Sequence, residues 1–119
     1  MSANIKQLIE TEIANAADLV DQGELEAAFR HLERAHILGQ AITFEHTRVH
    51  WLMLKIGWKL KDWREIFGQL FRIVGASTKT PFGIFPVGNS GGANVSPFRK
   101  MSIPDDLQTA IQAAKKFTK

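Results

Sequence analysis

The side chains best suited to chemistry are four histidines, His31, His36, His46 and His50, gathered within twenty residues of a 119-residue chain that has no cysteine. Their spacing separates them. His46 and His50 are four apart, so on a helix they lie one turn above each other on one face, where a pair of imidazoles can grip one metal ion. Met53, Leu54 and Gly57 continue that face, which is therefore predicted to point inward, with Gly57 letting a neighbour approach closely. His36 lies on the preceding helix, flanked by Glu33 and Gln40. The connection Gly39–Ile42 is short, so the two helices should form an antiparallel hairpin. A turn centred near residues 41 and 42 puts His36 opposite about residue 47, between His46 and His50 in height. Three imidazoles can then converge, with a carboxylate from Glu33 or Glu45 near them. His31, five residues before His36, points away round the helix and is the least suited of the four.

Three imidazoles and an oxygen, without thiolate, suit zinc, nickel, copper or non-haem iron. Glu33-Arg-Ala-His36 matches the Glu-x-x-His element of di-iron bundles, but those need a second such element, and neither His46 nor His50 has an acidic residue three before it. A di-iron site is disfavoured. The competing reading is a structural polar cluster, with His36 hydrogen-bonded in the core and His46 exposed in the first turn of its helix. Other chemistry has weaker support. Ser90 lacks the strand-to-helix setting of a nucleophile elbow. Gly88-Asn-Ser-Gly-Gly has neither the spacing nor the lysine of a phosphate-binding loop, and tight-turn chemistry accounts for its glycines.

These histidines need helices to position them, and the apolar spacing predicts five. Residues 4–22 carry Ile5, Leu8, Ile9, Ile13, Ala16, Ala17 and Val20 at helical spacing, and Gly23 ends the run. Residues 24–38 follow, stopped at Gly39. Thr43 is the expected cap of a helix over 43–60, whose apolar residues cover most of its circumference, as in a helix central to a fold. Asp62-Trp-Arg-Glu65 has a capping-box pattern and opens a helix over 62–74, closed by Gly75. Trp51, Trp58 and Trp63 are expected in the core.

Residues 75–104 hold five of the nine glycines and all four prolines, which forbids regular helix. Yet Phe82, Ile84, Phe85, Val87, Val95 and Phe98 make this stretch too apolar for a slack linker. An ordered loop over 75–103, wrapped on the helices, is predicted, and long loops of that kind often line sites. A last helix over 104–117 begins with Pro104, Asp105 and Asp106, ends in Lys115 and Lys116 with Lys119 beyond, and carries a buried stripe of Leu107, Ala110, Ile111, Ala114 and Phe117. The expected architecture is one all-α domain over 1–119: two antiparallel helical hairpins, a long Gly/Pro loop and a C-terminal helix.

The length suits one domain. Without cysteine there is no disulfide scaffold, thiolate zinc site, iron–sulfur cluster or thiol catalysis. Glu10 and Glu12 interrupt any apolar leader, and no apolar run reaches membrane-spanning length, so a cytoplasmic protein without a membrane segment is expected. Charge is uneven. Residues 1–46 carry three basic and eight acidic side chains, and residues 47–119 carry twelve basic and four acidic. The basic residues form no run, so a solvated face is favoured over a nucleic-acid patch. The acidic and basic halves also allow docking to a protein partner or a second copy.

Gly23-Glu-Leu-Glu-Ala-Ala-Phe-Arg-His-Leu-Glu-Arg-Ala resembles the second helix of a tetratricopeptide repeat, with a weaker echo at Lys61-Asp-Trp-Arg-Glu-Ile-Phe. From about residue 20 onward the chain also resembles a family of small bacterial proteins known as domain of unknown function 3703. That resemblance rests on His31-Leu-Glu-Arg-Ala-His-Ile-Leu-Gly-Gln with His46-Thr-Arg-Val-His50. It rests also on Pro81-Phe-Gly-Ile-Phe-Pro-Val-Gly-Asn-Ser-Gly-Gly-Ala-Asn-Val95, continuing to Met101-Ser-Ile-Pro-Asp-Asp-Leu107. It implies a small helical bacterial cytoplasmic protein and carries no activity or residue role. Some members are encoded near heavy-metal resistance functions, which favours the metal reading. The leading expectation is divalent-metal binding by His36, His46 and His50 with Glu33 or Glu45, serving metal homeostasis or a small metal-dependent reaction. The second is a helical interaction module in which the histidines are structural.

Overall fold

Asn4 starts the first helix by a reciprocal cap: its side chain accepts from the Gln7 amide at 2.8 Å, and the Gln7 side chain accepts from the Asn4 amide at 3.0 Å. The structure, a computed structural model, describes residues 4–83, 87–93 and 100–117. Helices α1 (Ile5–Asp21), α2 (Leu25–Gly39), α3 (Thr43–Leu60) and α4 (Trp63–Lys79) follow one another, then a 3₁₀ turn over Thr80–Phe82, and finally α5 (Asp105–Phe117). α1 packs along α2, α3 along α4, and α2 on α3, so two helical hairpins are joined at the α2–α3 corner. α5 rests on α2. Leu107 and Ala114 of α5 are buried, and Arg34 bonds both Glu12 of α1 and Asp106 of α5.

The core is the apolar stripe of each helix turned toward its neighbours. Ile9 and Ala16 of α1 meet Ala28, Phe29, Leu32, Ala35 and Leu38 of α2 and Val49, Met53 and Ile56 of α3. Fully burying a side chain such as Leu32 or Met53 stabilises the fold by about 1.5–3 kcal/mol. α4 comes close to α3 at Gly57, where a Cβ would lie 3.2 Å from Glu65 and 3.6 Å from Ile66.

Several local expectations are corrected. Ile42, not Thr43, caps α3, and Thr43 is its first helical residue. α4 does not close at Gly75 but continues to Lys79. A single glycine costs a helix only about 1 kcal/mol, and here Ala76 and Thr80 beyond it are buried. Asp62 caps α4 by accepting from the Glu65 amide at 3.1 Å, but the Glu65 carboxylate turns to the loop instead, accepting from the Ala93 amide at 3.0 Å. Trp51, Trp58 and Trp63 are not in the core: all three are more than half exposed. α3 is indeed flanked by α2 and α4, but its apolar circumference exceeds what those neighbours cover. In the loop, residues 87–93 lie over the helices, with the Gly88 amide donating to the Gln40 side chain at 3.0 Å. Ile84, Phe85, Pro86, Val95, Pro97, Phe98 and Lys119, and the side chains of Lys115, Lys116 and Phe117, lie outside the described residues.

The α3–α4 turn holds Lys61 in the left-handed region, at φ 55° and ψ 36°. Its backbone N–H bonds back to Trp58, so this conformation closes the helix. A side chain is disfavoured there, and Lys61→Gly is expected to stabilise the protein by up to about 1 kcal/mol. The gain would appear as a higher urea midpoint at unchanged slope.

Candidate metal centre

The spacing that places His46 and His50 on one face of α3 turns both into the interior, and the α2–α3 corner brings His36 over them. All three are buried, between 2 and 6% exposed. The Nε2 atom of His36 lies 3.0 Å from Nε2 of His46 and 3.1 Å from Nε2 of His50. One ligating nitrogen from each ring lies within 4.8 Å of the others. Around a tetrahedral ion with metal–nitrogen bonds of 2.0–2.1 Å, ligand nitrogens stand about 3.3 Å apart, and the two pairs that include His36 are close to that spacing.

Each ring is held from behind. Nδ1 of His36 is 2.7 Å from the Asn89 carbonyl oxygen, Nδ1 of His46 is 2.8 Å from the Thr80 hydroxyl, and Nδ1 of His50 is 2.6 Å from Oε1 of Gln69. The Gln69 amide is itself oriented, because its Nε2 donates to the Gly91 carbonyl at 2.8 Å and to Glu65. A carbonyl oxygen only accepts, so the protons of His36 and His50 sit on Nδ1. Their Nε2 atoms therefore present lone pairs to each other at 3.1 Å. One Nε2–H on His46 would satisfy His36 and leave the His36–His50 approach repulsive. Outer-sphere acceptors on the far nitrogen are what orient imidazoles toward a metal.

The electrostatics favour neutral rings. Burial pushes His50 down to about 3 and His46 down to about 4. It pushes His36 well below the usual range, with the neighbouring His50 and His46 adding to the effect. Arg72, a buried cation of α4, lowers His36 and His50 further. A proton is thus an unfavourable way to relieve the facing lone pairs.

The other residues singled out lie apart. His31 faces Glu12 at 3.3 Å. Glu33 is paired with Arg30 at 3.2 Å, its carboxyl pushed up by burial. Glu45 is buried beside Arg48 at 3.4 Å. Among the described residues, neither carboxylate belongs to the group formed by the three imidazoles. Ser90 is half-buried on the same loop, where its side chain hydrogen-bonds Glu33. Gly88 and Gly91 have positive φ, as turn chemistry requires, and the loop supplies the Asn89 and Gly91 carbonyls to the centre. The supporting residues Gln69, Thr80 and Asn89 were not expected. Gln69 carried a usable signal: with Arg72 it puts two polar side chains into the buried stripe of α4 that Ile66 and Ala76 begin and end.

A helical domain with a buried trio of imidazoles, each braced by an acceptor, is the class of protein that the fold and site define. The chain belongs to the family described as protein of unknown function (DUF3703), whose model matches residues 3–111. No curated protein and no solved structure matches it. Among the described residues no helix is long and apolar enough to cross a membrane.

Proposed function

We propose that this protein binds one divalent transition-metal ion through the Nε2 atoms of His36, His46 and His50, in the service of metal homeostasis. The observation that carries this reading is the facing of two unprotonated imidazole nitrogens at 3.1 Å in a buried site. A cation of zinc, nickel, copper or iron turns that repulsion into two bonds. Water is proposed for a fourth position, because Glu33, one turn before His36, is taken up by Arg30 and Ser90. Gln69, Asn89 and Thr80 hold the rings in the ligating orientation.

Elemental analysis of protein purified without a histidine tag is expected to give one metal per chain, and none in a His46→Ala/His50→Ala double variant. Titrating the metal-free protein with zinc should raise its melting temperature. Ligand at a hundred times its dissociation constant stabilises by about 2.7 kcal/mol, and the double variant should gain nothing. Metal-free protein that shows no affinity for zinc, copper or nickel overturns the reading and leaves the cluster structural.

A further inference from the structure

The outer side of the second hairpin has the composition of an interior. On α3, Phe44, Trp51 and Trp58 repeat every seven residues, with Thr47 and half-buried Leu54 at the intervening positions. On α4, Trp63, Phe67, Leu70 and Val74 follow one another at steps of four, three and four. Both are the spacing of a coiled-coil seam. The Trp58 and Trp63 rings meet edge to face at 6.2 Å, which joins the two seams at one end. Apart from Leu54, the seven large apolar residues of these seams are between 46 and 70% exposed.

We infer that this face is the interface of a homodimer, in which two α3–α4 hairpins pack as a four-helix bundle. Area supports it. With aromatic side chains offering 150–250 Å² each, the five exposed aromatics alone leave about 500–800 Å² of apolar surface in water, to which Leu70 and Val74 add. A standard interface buries about 800 Å² per partner, and the largest apolar patch of a typical monomer is about 300–600 Å². Shape identifies the occupant. An antiparallel hairpin with a heptad seam on each helix is complementary to another such hairpin turned by a two-fold axis, and closed two-fold dimers are the commonest assemblies. Lys55, Lys59 and Arg64 are exposed beside the seams, at rim positions where charge is tolerated.

Sedimentation of the untagged full chain over a wide concentration range tests this. The expected result is a species of about twice the 13.3 kDa chain mass. A Phe67→Glu/Leu70→Glu variant should weaken association about tenfold or more, with its helical circular dichroism unchanged because both side chains are exposed. Three results would overturn the inference: a monomer at every concentration, a dimer that the double variant leaves intact, or a monomer that cosediments with anionic phospholipid vesicles, which would assign the face to lipid.

Discussion

The metal-free protein is expected to lose stability steeply as the pH falls from 6.5 toward about 4. The buried rings of His36, His46 and His50 bind protons more weakly folded than unfolded, so the unfolded chain takes up the protons first. Their contribution is fully present above the unfolded imidazole value of 6.5, shrinks as pH falls below it, and is gone once the pH is under the folded values, about 4 for His46 and about 3 for His50. Each such histidine changes stability by up to about 1.4 kcal/mol per pH unit in that window. Three together are large against a total of about 5–15 kcal/mol. Glu10 and Asp106, held low by Arg48 and Arg34, lose their contribution as the pH falls from the ordinary carboxylate value through their lowered folded values, and Glu33, raised by burial, acts in the opposite direction. Urea midpoints measured across the window should fall continuously. A flat profile would mean that the rings are already charged or exposed in the folded state. Bound metal should deepen the dependence, since protons and metal compete for the same nitrogens.

Gly91→Ala is expected to damage the site directly, through the His36 ring. Gly91 has φ +88°, and a Cβ there would lie 2.6 Å from Cδ2 and 2.9 Å from Nε2 of His36. That ring cannot swing aside without losing the Asn89 carbonyl on one nitrogen and its place beside His46 and His50 on the other. Gly83→Ala is the matched control: its φ of +75° imposes similar backbone strain, but nothing lies within 4 Å of the added methyl. Backbone strain alone costs about 1–3 kcal/mol. Gly91→Ala should exceed Gly83→Ala by about 1–3 kcal/mol, the usual range for overpacking, and should also weaken zinc binding where the control does not. Equal losses in the two variants would show that the ring has room to move.

The imidazole trio was legible because its members obey local rules. A four-residue spacing puts His46 and His50 on one face, and a short corner folds His36 back over them. What holds the rings was not legible. Asn89 and Gln69 stand 53 and 19 residues from their partners, and no periodicity links them. The same limit explains Trp51, Trp58 and Trp63. Helical spacing tells which faces are apolar, but not which face finds a neighbour. Glu65 was read as one half of a cap because the pattern is local, and the loop outcompeted the cap through Gln69 and the Ala93 amide. At Gly75 a weak helix breaker was overruled by the burial of Ala76 and Thr80.

The braces behind the rings bear on timing. All three imidazoles belong to fifteen consecutive residues that span the α2–α3 corner, whereas α4, the 3₁₀ turn and the loop, which hold their far nitrogens, come later in the chain. An ion can therefore be taken up by a short early segment and sealed in only when the remainder closes over it. Escape of a proposed ion would require the packing around the three buried imidazoles to open. Its residence time would then depend on the frequency of that local opening as well as on the strength of the metal–nitrogen bonds.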